Sequence, residues 1–234
     1  MKRNPWWRAL PLLLAVPMLG GAGVCGVVLV DIAQRDLILD PVDLIAIESD
    51  SGTVEVFSFD RNGVSLFYYM LGSLYDIGDV GHRVDGRTLE VFSECMHEDP
   101  FCTINWYAEI MPATAVDVIS NNGPVKLTGV RAPITADVIG GGFDGAALSA
   151  PTLDVAVEAG DVNLAYDIPP TTVTVTVGTG NVAVTLPPGT YRCELASADG
   201  TVDSTGVTCD PTATNVVHID VEAGDIALLP GAMP

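Results

Sequence analysis

The sequence predicts an all-β protein: a β-solenoid of two-strand rungs, each about twenty residues long, preceded by one N-terminal transmembrane or signal helix. Glycine and proline, which both end strands, recur together at that period, and apolar residues alternate with polar ones inside each copy. Because glycine and proline end strands for different physical reasons, a shared period is stronger evidence than either residue alone. Self-similarity near twenty residues is typical of stacked repeat proteins.

The repeat is marked by corner glycines, each with a proline 9 to 13 residues ahead of it in the regular part. The spacings between successive corner glycines there are 19, 18, 20, 20 and 24 residues, and a weaker copy, SDSGTVEVF, lies upstream. The predicted corners are Gly52, Gly123, Gly142, Gly160, Gly180, Gly200 and Gly224.

Within a copy, the period of two indicates half-buried strands rather than helices. Val157 and Val162 flank Gly160 at an odd separation, and Val177 and Val182 flank Gly180 in the same way. Strict alternation would turn one valine of each pair outward. The corner glycine must therefore interrupt the inward–outward alternation by one residue, so that both valines face the core. We therefore expect a positive φ at Gly160 and Gly180, and also at Gly224.

The residues at equivalent positions of successive copies favour stacked rungs over hairpins. The residues that follow the corner glycines are, in chain order, Asp161, Asn181, Thr201 and Asp225. Acidic residues are interleaved with neutral ones, which keeps like charges off neighbouring strands about 4.8 Å apart. An antiparallel sandwich is the alternative architecture.

The N-terminus has the features of an export signal. Lys2, Arg3 and Arg8 precede an uncharged run from Ala9 to Val30, long enough to span a bilayer at about 1.5 Å per residue. A single-pass anchor is favoured over a cleaved signal peptide, and a lipoprotein lipidated at Cys25 is a further alternative. Either way, the chain is predicted to be extracytoplasmic, in a bacterial cell envelope.

These features divide the chain into three parts: a signal or anchor segment at 1–31, a juxtamembrane linker at 32–43 and an extracytoplasmic β-repeat domain at 44–234. Within that domain, 57–110 is irregular and 111–229 holds the regular repeats. The irregular part carries most of the aromatic residues, which typically cover the end of a solenoid core. A groove lined by aromatic residues is the alternative, with Trp106 and Tyr107 as candidate interaction residues.

Two local disulfides are expected in an exported protein. Cys95 and Cys102 bracket a short loop between two strands, and Cys193 and Cys209 are close to one period apart. A metal site made from these cysteines lacks paired CxxC spacing.

The net charge and the missing catalytic motifs argue against some classes of function. All 30 acidic residues lie from Asp31 onward with seven of the ten basic ones, a net charge of −23 for that part. Such a surface repels nucleic acid and anionic lipid. His82 and His218 have no catalytic partner in sequence, and His97 with Glu98 and Asp99 resembles at most a weak cation site. We expect no catalytic residue, metal or cofactor.

The corners read SG-TV, NG-PV, AG-DV, TG-NV, DG-TV and AG-DI, behind a basic and apolar N-terminus. In this pattern the sequence resembles the bacterial putative-adhesin, or toast-rack, β-repeat domain over about residues 44–229. The resemblance implies a β-solenoid-like extracytoplasmic domain linked to adhesion or to envelope-stress assemblies, and it supplies no catalytic residues. The region 57–88 and both cysteine pairs are not part of the family pattern.

The sequence therefore predicts an exported, membrane-tethered, non-catalytic module for adhesion or envelope protein interaction. Its expected partners are an envelope or surface protein or a glycan, and the membrane through the N-terminal segment. The alternatives are an envelope-stress sensing scaffold and a polysaccharide-acting β-helix enzyme. A long groove with convergent arginine and acidic side chains would favour the enzyme.

Overall fold

The computed structural model describes residues 29–60, 62–73, 79–95 and 102–231, and every regular element in these ranges is a strand. The all-β prediction is confirmed. The strands are β1 (Leu29–Ile38), β2 (Leu44–Ser49), β3 (Val54–Ser58), β4 (Val64–Ser73), β5 (Val80–Asp85), β6 (Thr88–Ser93), β7 (Thr103–Ile110), β8 (Ala115–Asn122), β9 (Val125–Thr128), β10 (Ile134–Gly140), β11 (Phe143–Leu148), β12 (Thr152–Ala159), β13 (Val162–Tyr166), β14 (Thr172–Thr179), β15 (Val182–Leu186), β16 (Thr190–Asp199), β17 (Val202–Asp203), β18 (Thr208–Cys209), β19 (Asn215–Ala223) and β20 (Ile226–Pro230).

These strands form two ten-stranded sheets whose buried apolar side chains pack into one core. Sheet I has the order β1-β4-β7-β3-β9-β11-β13-β15-β20-β17. Sheet II has the order β18-β16-β19-β14-β12-β10-β8-β2-β6-β5. Burial alternates along the strands, as in β12 and β14, because one face of each sheet meets the core and the other meets solvent.

Each regular copy gives its first strand to sheet II and its second strand to sheet I. The strands pair in parallel with their counterparts in the next copy, so that Val157 lies beside Val177 and Val162 beside Val182. The antiparallel sandwich is therefore wrong for the repeat region. Parallel neighbours need a crossover of a dozen or more residues, and here the intervening strand in the other sheet, such as β13 between β12 and β14, supplies it.

The spatial order of the copies departs from the chain order at both ends. The copy β19–β20 lies between β14–β15 and β16–β17, so the last copy in sequence is the penultimate one in space. At the other end, β2–β3 lies between β6–β7 and β8–β9. The expected column Asp161, Asn181, Thr201, Asp225 is therefore corrected to Asp161, Asn181, Asp225, Thr201, in which acidic and neutral residues alternate strictly.

The corner glycines stack directly on one another. Gly160, Gly180 and Gly224 have φ of 153°, 149° and 146°, which confirms the positive φ expected at these three positions. A Cβ atom placed on Gly180 would lie 2.0 Å from the carbonyl oxygen of Gly160, far inside van der Waals contact. The close approach of successive backbones, as well as the dihedral angle, therefore excludes other residues here.

The remaining predicted corners divide into three groups. Gly52 and Gly123 also have positive φ, at 108° and 158°. The prediction for Gly142 is wrong by one position, since Gly141 has φ of 130° and stacks on Gly123. Residues 140–142 are all glycine, so the sequence alone does not distinguish which of them forms the corner. Gly200 stacks on Gly224, where an added Cβ would lie 1.9 Å from the carbonyl oxygen.

A ladder of side-chain hydrogen bonds runs beside these stacked glycines. The Asn181 backbone N–H donates to Asp161 Oδ1 at 2.7 Å, and the Asp225 N–H donates to Asn181 Oδ1 at 3.0 Å. The Thr201 N–H and hydroxyl both donate to Asp225 Oδ1 at 2.8 Å. These bonds, from the backbone first and then the hydroxyl, hold the pKa of Asp225 below its usual value.

We expect Asp225→Asn to reduce the acid sensitivity of the fold. A carboxyl group with a depressed folded-state pKa stabilises the fold above its unfolded pKa, about 3.9, and this contribution is lost as pH falls through the folded-state value. The asparagine oxygen still accepts both hydrogen bonds but does not titrate. Urea midpoints at about pH 6 and about pH 3 should therefore differ less in the variant than in the wild type. Equal differences in the two proteins would contradict this assignment.

Residues 32–38 lie in a strand rather than in the predicted linker. β1 pairs antiparallel with β4 over ten residues, from Leu29 opposite Ser73 to Ile38 opposite Val64. Most of the predicted anchor segment lies outside the described residues, and its last residues, 29–31, begin β1. No helix in the described ranges is long and apolar enough to cross a membrane.

The region 57–110 is more regular than expected, because β6 and β7 pair in parallel with β2 and β3 and so form a further copy. Both expected disulfides are present, Cys95–Cys102 with a Cα–Cα distance of 5.9 Å and Cys193–Cys209 with 5.5 Å. The second disulfide joins β16 to the adjacent β18, and so links the terminal strand of sheet II covalently to its neighbour.

Candidate interaction surface

A shallow groove lies on the solvent face of sheet I, where β1, β4, β7 and β3 run side by side. Its volume is about 370 Å³, and we call it the aromatic groove. It is lined by Arg35, Phe57, Ser65, Phe67, Tyr107 and Glu109.

Strand alternation places these side chains outside the core. In β7, every second residue from Ile104 to Ile110 is buried, so Tyr107 and Glu109 point to the solvent face. The register sets Phe67 opposite Tyr107 and Ser65 opposite Glu109. The rings of Phe67 and Tyr107 lie 5.7 Å apart between centroids, tilted by 44°, a favourable arrangement for an aromatic pair.

A charged pair borders the rings. Arg35 Nη2 lies 3.6 Å from Glu109 Oε2, and the guanidinium also donates to Ser65 Oγ at 3.2 Å. The Arg35 side chain is 64% exposed, so its remaining donors face solvent. The groove therefore combines apolar ring surface with a planar donor group and a carboxylate.

Of the two predicted interaction residues, the structure assigns Tyr107 to the groove and Trp106 to the core. Trp106 is 1% exposed, and its Nε1 donates to Ser93 Oγ at 3.0 Å. Its ring packs against Tyr68 with centroids 5.0 Å apart. Burial, and then the nearby Asp36, raise the pKa of Tyr68. The prediction that Trp106 is an interaction residue is wrong, because its position in the alternation of β7 points inward.

Sequence reasoning missed Arg35 and Ser65 as groove residues. Arg35 fell in the segment assigned to a linker, and Ser65 has no distinguishing motif. No alternation of polar and apolar residues marks this strand, because Gln34, Arg35 and Asp36 are consecutive polar residues between apolar ones.

A second, acidic groove of about 450 Å³ lies on the solvent face of sheet II, over β2, β5, β6 and β8. Phe92 lies beside Gly81 at its floor, and Arg83 pairs with Glu90 at one side. Its other acidic lining residues are Glu48, Asp79 and Asp117. Within the described residues, no group of histidine, cysteine or acidic side chains is placed to hold a metal ion.

The described histidines lie beside carboxylates. His82 Nδ1 is 3.8 Å from Asp36 Oδ2, and His218 Nδ1 is 3.3 Å from the exposed Glu194 Oε2. Asp36 and Glu194 are thus neighbours of His82 and His218 that the sequence did not suggest. His97 and its loop lie outside the described residues.

Comparison by sequence finds no matching family model and no matching curated protein. Comparison by structure finds a putative cell adhesion protein from Clostridium sporogenes, with a TM-score of 0.53 and 12% identity. The match covers 86% of this chain and 100% of that protein.

Two further solved structures match with lower TM-scores. One is a putative adhesin from Bacteroides fragilis, with a TM-score of 0.34 and 11% identity, covering 85% of this chain and 97% of that one. The other is a putative lipid binding protein from Parabacteroides distasonis, with a TM-score of 0.34 and 10% identity, covering 86% and 97%. The expected likeness to adhesins is confirmed at the level of the fold, and this chain shares the architecture of the Clostridium sporogenes adhesion protein.

Proposed function

We propose that this protein is an exported, membrane-tethered β-solenoid that binds a glycan of the cell envelope or of another surface, without catalysis. The observation that carries this proposal is the aromatic groove, in which the half-buried rings of Phe57, Phe67 and Tyr107 line one surface beside the pair Arg35 and Glu109. These rings lie together on the solvent face of sheet I and not in the core, and a contiguous aromatic patch in such a position is typical of a binding surface.

The composition of the groove suits a sugar ring. Aromatic faces pack against the apolar face of a pyranose, while a guanidinium and a carboxylate can donate to and accept from its hydroxyl groups. The volume of about 370 Å³ lies at the lower end of the range for ligand sites and is open to solvent on one side. A groove of this kind supports modest affinity at one site, which repeated contacts with a polymer would strengthen.

The charge distribution supports a glycan rather than a nucleic acid. With seven basic residues against 30 acidic ones from Asp31 onward, the surface repels phosphate backbones. A neutral or amino-substituted sugar carries no such penalty.

A binding role is favoured over the polysaccharide-cleaving alternative. Cleavage needs convergent acidic and basic groups with adjusted protonation. Each of the two described grooves contains one arginine, and each of these is paired with a carboxylate. The adhesion-protein fold and the two disulfides are in keeping with an extracytoplasmic binding role.

We expect the double substitution Phe67→Ala with Tyr107→Ala to weaken glycan binding at least about tenfold, because it removes two of the three aromatic rings that line the groove. The measurement is retention of the full-length protein, purified in detergent, on immobilised cell-wall polysaccharide. Phe92→Ala is the matched control, since it removes an aromatic ring from the acidic groove on the opposite sheet.

Equal loss of binding in the two variants, or loss in the control alone, would contradict the assignment of the site. Release of shortened glycan products by the wild-type protein would contradict the absence of catalysis. Unfolding midpoints of both variants should be measured in parallel, so that a loss of binding can be separated from a loss of fold.

A further inference from the structure

We propose that His82 and Asp36 form a pH-sensitive clasp between the two sheets, which holds β1 in place more firmly in mildly acidic than in alkaline surroundings. Because β1 supplies one wall of the aromatic groove, the clasp regulates that site. Its meaning for binding rests on the proposed function, but the clasp itself is testable without any ligand.

The clasp lies at the end of the stack where the terminal strands of both sheets face each other. β1 ends sheet I, and β5 ends sheet II. The register of β5 with β6 sets His82 opposite the buried Val91, on the face toward the core. The register of β1 with β4 sets Asp36 opposite the buried Leu66, also on the face toward the core. The two side chains therefore approach each other from opposite sheets.

Asp36 is the point of contact between the sheets. His82 Nδ1 lies 3.8 Å from Asp36 Oδ2, and the two side chains are 27% and 32% exposed. The Gln34 amide donates to the same carboxylate oxygen at 2.7 Å and accepts from the Tyr68 hydroxyl at 3.1 Å, which orients the carboxylate. Every other ion pair between described residues lies on the side of a single sheet.

The inner face of β1 offers little else to hold the strand. Of the inner-face side chains at 33–38, Ile38 is buried, Asp36 is half-buried and Gln34 is exposed. A terminal strand with few buried apolar side chains opens locally at a lower free-energy cost than the whole fold. One ion pair between the sheets therefore changes how often β1 detaches.

The charge of the histidine sets the strength of this contact. Histidine side chains change charge between about pH 5 and 8, while carboxylates stay ionised in that range. Neutral His82 lies beyond hydrogen-bond distance from Asp36, whereas a protonated ring attracts the carboxylate, and partial burial limits screening by salt. The attraction is therefore stronger at the acidic end of this range than at the alkaline end.

The other groups around His82 do not compete for this role. Tyr68, on β4, has its pKa raised by burial and then by Asp36, so its hydroxyl stays neutral throughout the range. Across β5, the inner face of β6 presents Val91 and Leu89, which carry no charge. The charged residues of β5 itself, Arg83 and Asp85, alternate with His82 and are exposed.

The attachment of β1 matters to the groove because β1 carries Arg35, which lies opposite Phe67 in the register. When β1 detaches, the groove loses its guanidinium group and one wall, while the rings on β3, β4 and β7 remain in place. Ligand contacts made through the guanidinium group are thereby coupled to the charge of His82.

Hydrogen exchange of the full-length protein in detergent measures the opening of β1 directly. After correction for the intrinsic effect of pH, the paired amides at 33–38 should be protected roughly two- to fivefold more at about pH 5.5 than at about pH 8. His82→Gln should abolish this difference, and His82→Lys, charged at both pH values, should give the greater protection at both. His218→Gln is the matched control, since it removes a histidine 3.3 Å from a carboxylate within one sheet, and it should keep the difference.

The amides of β12 and β14, in the regular part of the stack, report on global unfolding in the same samples. Equal protection of β1 at both pH values in the wild type, greater protection at about pH 8, or a difference that persists in His82→Gln would overturn the proposal. Because no glycan is present, these results do not depend on whether the groove binds one. Failure of glycan binding with a working clasp would contradict the proposed function alone.

Discussion

Gly180→Ala should destabilise the protein by about 3–5 kcal/mol, because the strain of a disallowed dihedral adds to a backbone clash. Gly180 has φ of 149°, and the new Cβ would lie 2.0 Å from the carbonyl oxygen of Gly160. Neither partner can move alone, since Gly160 stacks in turn on Gly141 and Gly224 stacks on Gly180. The measurement is the free energy of unfolding in urea.

Gly86→Ala is the matched control for this substitution. Gly86 also has positive φ, 60°, but an added Cβ would meet no atom within 4 Å. The control therefore carries the cost of a left-handed dihedral, about 1–2 kcal/mol for a residue with a Cβ, without any backbone clash. Equal losses of stability in the two variants would show that close stacking of the corners is not what requires glycine there.

Trp106→Ala should cost about 3–5 kcal/mol of unfolding free energy, the usual loss for a fully buried tryptophan. The side chain is buried in the core near β4 and donates a hydrogen bond to Ser93, so its removal leaves a cavity and takes one hydrogen bond from the Ser93 hydroxyl, which keeps its bond to Ser49. Trp106→Phe should recover most of the stability, because it restores much of the apolar volume without the hydrogen bond.

The adjacent residue supplies the contrast. Tyr107→Ala removes an outward side chain and should cost less than about 1 kcal/mol, since surface substitutions leave the core intact. A larger loss of stability for Tyr107→Ala than for Trp106→Ala would reverse the assignment of inward and outward faces along β7.

The regular part of the fold was predictable because its determinants are local. Alternating valines specify the strands, and the odd spacing of Val157 and Val162 requires a glycine that changes the phase. Gly160 and Gly180 accordingly have the expected backbone conformation. The disulfides followed from the same period, because Cys193 and Cys209 lie on neighbouring strands.

The order of the copies was not predictable from one period. β16–β17 and β19–β20 carry similar corners, at Gly200 and Gly224, and either can stack on Gly180. The structure places Gly224 there, where Asp225 donates to Asn181 and accepts from Thr201. The preference arises from contacts between copies, which a single repeat does not encode.

The candidate site was predictable only in part, because it is assembled across four strands. Arg35, Phe67 and Tyr107 are far apart in sequence and meet through the antiparallel pairing of β1, β4 and β7. The inward position of Trp106, by contrast, was predictable from the sequence, because Trp106 is separated from Ile104 and Ile110 by even numbers of residues in β7. An aromatic residue is by itself no guide to exposure.

The central claim is that the aromatic groove is the surface at which this protein meets its partner. Hydroxyl-radical footprinting of the full-length protein tests it most directly, by comparing side-chain oxidation in the intact envelope with oxidation in the purified state. We expect Phe57, Phe67 and Tyr107 to be oxidised several-fold less in the envelope, and Phe92 on the opposite sheet to be oxidised equally in both. Equal oxidation of the groove in both states, or protection of Phe92 in its place, would contradict the claim.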